Sequence, residues 1–160
     1  MRTNLTAGVI AGLVAGVVFG IMMTVMRAPA PDGTSMPMMT MVAKVVGSAS
    51  LAAGWAYHLF NSAVIGGLFG WVLGSRIGGY ASVAGWGAVY GIVWWVIGGL
   101  ILMPLLLGMP ALAPLQMAPM RPVAFASLLG HIMFGAILGA AFVPLRKAAG
   151  HRLLGTARPA

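Results

Sequence analysis

Cysteine and negative charge are what this sequence lacks most. It contains no cysteine, so disulfide bonds, thiolate metal sites and cysteine nucleophiles are excluded. Asp32 is its single acidic residue, so paired carboxylates for general acid–base hydrolysis are excluded as well. Charged residues make up only 6% of the 160, too few to cover the surface of a water-soluble domain, while 61% are hydrophobic. The chain is therefore predicted to be an integral membrane protein without enzymatic activity.

Four apolar runs are long enough to cross a bilayer core, which takes about 20 helical residues. They cover residues 5–26, 51–74, 80–107 and 123–145, and none contains Asp, Glu, Lys or Arg. The runs are continuous rather than alternating with polar residues, which favours helices over strands. The predicted fold is all-α, a single domain over residues 1–160 with four transmembrane helices.

Proline marks the two longer connections of this fold, at 27–50 and 108–122. In the first, prolines precede a short interfacial helix that is predicted to begin at Lys44. In the second, four prolines predict extended or turn structure. A basic tail follows the last helix at 146–160.

Positive charge is unevenly divided between the two sides of the predicted bundle. With four helices, both termini share a side with the loop between helices two and three. That side carries Arg2, Arg76, Arg146, Lys147, Arg152 and Arg158. The other side carries Arg27, Lys44 and Arg121, offset by Asp32. The positive-inside rule therefore places both termini in the cytoplasm. The net charge of +8 is attributed to residues that set the membrane topology and contact anionic lipids. No nucleic-acid partner is predicted.

Glycines recur at helical spacing in the predicted helices, most clearly in helices one, two and four. They are Gly8, Gly12, Gly16 and Gly20 in helix one, Gly66, Gly70 and Gly74 in helix two, and Gly135 and Gly139 in helix four. Small residues at this spacing let helix backbones approach closely within a membrane. Ordinary packing inside the bundle is the main interpretation. The second is a face for another transmembrane subunit or for self-association.

Helices two and four share the pattern H-x4-A-x2-G-x2-F, which starts at His58 in one and at His131 in the other. Helices one and three match more weakly, through glycines alone. The sequence therefore predicts a duplicated helical hairpin, with the two copies related by an axis along the membrane normal.

His58 and His131 are the candidate site residues. Both are predicted roughly 10–12 Å inside the outer boundary, at about 1.5 Å of rise per residue, where they could face each other. Methionines concentrate toward the same side, and Met133 follows His131 closely. Imidazole and thioether groups ligate copper(I) and haem iron. Haem b on His58 and His131, copper on His58, His131 and Met133, a proton or substrate path, and purely structural hydrogen bonds all stay open.

Four short segments carry a family resemblance. They are His58-Leu-Phe, Trp86-Gly-Ala-Val-Tyr-Gly91, the stretch 102–110 with its two Met-Pro pairs, and Leu128-Leu-Gly-His-Ile-Met-Phe-Gly135. Over roughly residues 50–145 the chain resembles the YagU-like inner-membrane proteins and related small four-helix bacterial families without an assigned activity. The resemblance implies a bacterial inner-membrane protein with histidines in helices two and four. A further histidine found in helix three of some members is replaced here by tryptophans.

Three functions are consistent with these observations. The first is a non-enzymatic accessory or scaffold subunit that packs against partner helices, suggested by the glycine faces. The second is a redox or metal-handling module that binds haem b or copper through His58 and His131. The third is a passive pore or small-solute transporter.

Overall fold

The computed structural model of the protein describes residues 2–29, 34–76 and 78–155. Asp32 and Arg158, which entered the charge analysis, lie outside these residues. The elements in chain order are α1 (Arg2–Val25), β1 (Arg27–Pro29), β2 (Ser35–Pro37), α2 (Met38–Lys44), α3 (Leu51–Leu73), α4 (Tyr80–Trp94), a π-helical segment (Trp95–Leu102), α5 (Met103–Leu106), α6 (Ala113–Gln116), a 3-10 turn (Ala118–Met120) and α7 (Arg121–Gly155).

The structure confirms an all-helical protein with four helices long and apolar enough to cross a membrane. These spans are Thr3–Val25, Leu51–Leu73, Tyr80–Leu106 and Ala118–Ala149. The fourth helix differs from its predicted end at 145, because α7 continues to Gly155. Pro144 lies inside it, with an exposed side chain, and does not end the helix.

Both longer connections contain more structure than the prolines indicated. In the first, β1 pairs with β2 in antiparallel fashion, and α2 begins directly after Pro37. The helix predicted to begin at Lys44 ends there instead. Proline fixes φ near the helical value and suits a helix start, whereas a lysine in the last turn is favoured by the helix dipole. In the second connection, α6 and the 3-10 turn each hold a proline in their first turn, where its missing N–H costs nothing.

Glycine contacts join the spanning helices in two pairs. Between α1 and α3, a methyl group added at Gly8 would overlap the carbonyl oxygen of Gly66, and one added at Gly66 would overlap that of Gly8. Between α4 and α7, Gly87 and Gly135 are related in the same reciprocal way. The glycine faces predicted from spacing are therefore occupied within the chain, as the main interpretation expected.

The remaining contacts leave one seam of the bundle loosely packed. Helix α1 also packs on α7, whereas little contact joins α3 with α4. The Tyr90 hydroxyl donates to the carbonyl oxygen of Ile65 (2.8 Å) across this seam.

The interior differs between the two ends of the bundle. At the end that contains the start of α1 and residues 74–76 and 78–79, Phe69, Leu138 and Phe142 are at most 1% exposed and fill the core. The opposite end, which holds residues 26–29, 34–50 and 107–120, is here called the loop end. The interior of this half contains the cavities described below.

Candidate ligand-binding site

His58 is placed by the close approach of α1 to α3. Its Nε2–H donates to the carbonyl oxygen of Gly16 in α1, at 2.8 Å, and its side chain is 8% exposed. A carbonyl oxygen can only accept a hydrogen bond, so Nε2 carries the ring proton. The tautomer is thereby fixed, and Nδ1 keeps a lone pair.

His131 presents its ring in the opposite tautomer. Its Nδ1–H donates to the carbonyl oxygen of Ser127, one turn earlier in α7, at 2.8 Å. Its Nε2 therefore keeps the lone pair. The Phe19 ring contacts both imidazoles edge-on, with centroid distances of 5.6 Å to His58 and 4.9 Å to His131. The structure thus brings together the two histidines singled out in the sequence.

The two lone-pair nitrogens are accessible from within the bundle. Neither has a hydrogen-bond partner in the described part of the chain. No side-chain nitrogen or oxygen there is both fully enclosed and unpaired. The His58 Nδ1 and the His131 Nε2 therefore each keep some accessible surface, and both side chains line the same space.

That space is a cavity of about 230 Å³ between α3 and the π-helical segment, here called the central cavity. Most of its wall is apolar, including Phe19, Ile65 and Trp94. Asn61, half-buried in the middle of α3, also lines it and has no hydrogen-bond partner among the described residues. An unpaired amide at membrane depth is costly, so it is a mark of function rather than of packing alone.

The π-helical segment forms part of the wall of this space. Gly98 and Gly99 lie within it and line the cavity. A methyl group added at Gly98 would meet no atom within 4 Å. The Trp95 indole N–H donates to the Ala124 carbonyl oxygen (3.1 Å) and so ties the segment to α7. Segments of π-helix occur frequently at functional sites.

The central cavity opens sideways, toward the membrane. Val64 on α3 and Leu102 and Leu106 on the facing side all line the cavity, yet each is more than 40% exposed on the outer surface. These side chains form a rim in the loosely packed seam between α3 and α4. The central cavity therefore reaches the side surface of the bundle.

Met133 is not placed with the two histidines. It lines neither of the two cavities, whereas Met23 and Met103 line both. Two residues along a helix correspond to a rotation of about 200°, so Met133 points away from the face that presents His131. Within the described residues, no three His, Cys, Asp or Glu side chains cluster in a way that could hold a metal ion.

Neither Asn61, in the same helix as His58, nor the π-helical segment was singled out from the sequence. The adjacent glycines at 98 and 99 were the only local sign of the latter. Comparisons with family models, with curated proteins and with solved structures found no match to this chain. The resemblance to YagU-like proteins stays a prediction.

Proposed function

We propose that this protein is a non-enzymatic membrane protein that binds a small, uncharged, largely apolar ligand with a hydroxyl group in the central cavity. One observation carries the proposal. Two imidazole lone pairs and an unpaired amide open into one apolar cavity that reaches the lipid-facing surface.

The hydroxyl group is inferred from the tautomers. Both free ring nitrogens accept hydrogen bonds, since the proton of each ring is already donated to a backbone carbonyl. A ligand that donates a hydrogen bond fits such a wall, and one that offers only acceptors leaves the lone pairs unpaired. Leaving a buried polar group unsatisfied costs about 1–3 kcal/mol, which is the scale of selectivity expected.

The absence of charge is inferred from the lining. Among the described residues, no Asp, Glu, Lys or Arg lines the central cavity, and the whole sequence contains one acidic residue. Burying an unpaired ion there would cost far more than burying a neutral molecule. The volume of about 230 Å³ lies below the roughly 300–1,000 Å³ typical of pockets for drug-sized ligands. The cavity therefore favours a smaller molecule over a haem.

The test compares two ligands that differ only in whether they carry a hydroxyl group that can donate a hydrogen bond. Trp94 lines the cavity, so its fluorescence should report occupancy in detergent-solubilised protein. We expect para-butylphenol to change this fluorescence saturably, and its methyl ether to bind at least several-fold more weakly. The variant Asn61→Leu should reduce the difference in affinity between the phenol and its methyl ether. Equal binding of phenol and ether, or a change that never saturates, would overturn the proposal.

An accessory subunit is the second candidate. The observation that favours it is the poor coverage of the third span, Tyr80–Leu106. Only 17% of its most apolar stretch is buried within the chain, against at least 33% for each of the other three. A partner helix or a second copy would cover this face, which includes the 55% exposed Trp86. Native mass spectrometry after mild extraction tests this, and a lone monomer would count against it.

The proposal also includes the remaining expectations from the sequence. The cation distribution supports both termini in the cytoplasm of a bacterium, with the chain in its inner membrane. The matching glycine contacts in α1–α3 and α4–α7 support two repeated hairpins. The passive pore has less support, because Phe69, Leu138 and Phe142 fill the core beyond the cavity.

A further inference from the structure

A second cavity, of about 70 Å³, adjoins the central cavity toward the loop end. Its wall is unusual in composition, because half of the twelve methionines that follow Met1 line it. They are Met23, Met38, Met41, Met103, Met109 and Met120. We call this space the methionine cavity.

The methionine side chains come from segments distant in sequence that are held together by backbone hydrogen bonds. The Met38 N–H donates to the Met26 carbonyl oxygen (2.9 Å), which fixes the start of α2 against the end of α1. The Leu112 N–H donates to the Leu100 carbonyl oxygen (2.7 Å), which folds the second connection back onto the π-helical segment. Met23, Met38 and Met120 are at most 8% exposed. The six methionines therefore line one space on a hydrogen-bonded backbone framework, and three of them are buried.

His131 also lines the methionine cavity, and its Nε2 has no hydrogen-bond partner among the described residues. This is an observation independent of the methionines. It adds a nitrogen donor of neutral charge to a wall of soft sulfur donors. Thioether and imidazole together suit copper(I), whereas harder cations require oxygen ligands.

The charge of the wall narrows the choice further. None of the described residues that line this cavity is a carboxylate, and Asp32 lies outside the described residues, so a divalent cation would leave more uncompensated charge against this described wall than a monovalent one. A monovalent soft ion leaves the smallest charge to bury. We propose that the methionine cavity is a binding site for copper(I), held by methionine sulfurs and by the His131 Nε2, so that copper(I) and a hydroxyl ligand of the central cavity compete for this nitrogen. This ligand set replaces the His58, His131 and Met133 set inferred from sequence.

The experiment is an anaerobic titration of the purified protein with copper(I) against a competing chelator, with silver(I) as a redox-inert probe. We expect about one ion per chain. The triple variant M38L/M41L/M120L should weaken binding by roughly 10–100-fold, the range seen when even outer-shell groups of metal sites are lost. The matched controls Met133→Leu and Met117→Leu remove thioethers that do not line the cavity. They should bind as the unaltered protein does.

Folding and function are separated by further variants. Leucine replaces methionine with nearly the same volume, and an unchanged circular dichroism spectrum confirms the fold. If the triple variant does not fold, the single variant His131→Gln serves in its place and should also weaken binding. Asn61 lines the central cavity and not this one. Asn61→Leu should therefore leave copper(I) affinity unchanged, even if the proposed hydroxyl ligand proves wrong. No saturable binding of either ion, or an unchanged affinity in the triple variant, would overturn the inference.

Discussion

Substituting Gly87 with alanine should separate α4 from α7. The added methyl group would overlap the Gly135 carbonyl oxygen, and it would also lie 3.0 Å from the Gly135 carbonyl carbon and 3.3 Å from the Gly139 Cα. All three neighbours are backbone atoms, so no side chain can rotate away and the helices themselves must move apart. Overpacking of this kind costs about 1–3 kcal/mol. At about 1.4 kcal/mol per factor of ten, the unfolding equilibrium should change roughly 5–150-fold.

Gly85 supplies the matched control on the same helix. A methyl group added there meets nothing within 4 Å, so Gly85→Ala should leave the free energy of unfolding unchanged or slightly raised. Unfolding by sodium dodecyl sulfate from mild-detergent micelles, followed by circular dichroism, measures both variants under the same conditions. If Gly87→Ala proves as stable as Gly85→Ala, the close α4–α7 contact is wrong.

Two further substitutions test contacts that hold the spans together. Tyr90→Phe removes the hydroxyl that donates to the Ile65 carbonyl oxygen across the seam. It should lower the free energy of unfolding by about 0.5–1.5 kcal/mol in the same assay. An unchanged free energy of unfolding would mean that the hydrogen bond does not form. Arg146→Gln removes a guanidinium that donates to the Gly74 carbonyl oxygen at the end of α3. A cation there interacts favourably with the helix dipole, so the free energy of unfolding should fall by about 0.3–1 kcal/mol at low salt. This loss should shrink as salt is added. A loss independent of salt would contradict the electrostatic explanation.

The features predicted well from sequence are those that depend on local pattern. Hydrophobic length is sufficient to identify a spanning helix, and glycines four residues apart present one face of a helix wherever that helix packs. The histidine pair was also found from sequence, since a polar residue inside an apolar run stands out. How distant segments meet could not be predicted from local pattern. Met133 was chosen because it is near His131 in the chain, whereas the methionines that approach His131 in space come from four other segments.

The π-helical segment and the tautomers of the two histidines could not be predicted from the sequence either. A π-helix needs a backbone shift that the neighbouring helix stabilises, here through the Trp95 bond to α7, and residues 95–102 read locally as ordinary helix. The tautomers depend on which carbonyl oxygen lies within reach of each ring. That is set by the α1–α3 approach for His58 and by the preceding turn of α7 for His131.

The central claim is that the cavity between α3 and the π-helical segment holds a ligand, and filling that cavity tests it most directly. Gly98 has open space at its Cβ position and lines the cavity, whereas Gly85 has open space but does not line it. We would measure saturable binding of para-butylphenol by Gly98→Leu and Gly85→Leu side by side. The account predicts that Gly98→Leu folds normally and loses binding, while Gly85→Leu binds as the unaltered protein does. Equal binding by the two variants would place the ligand elsewhere and contradict the account.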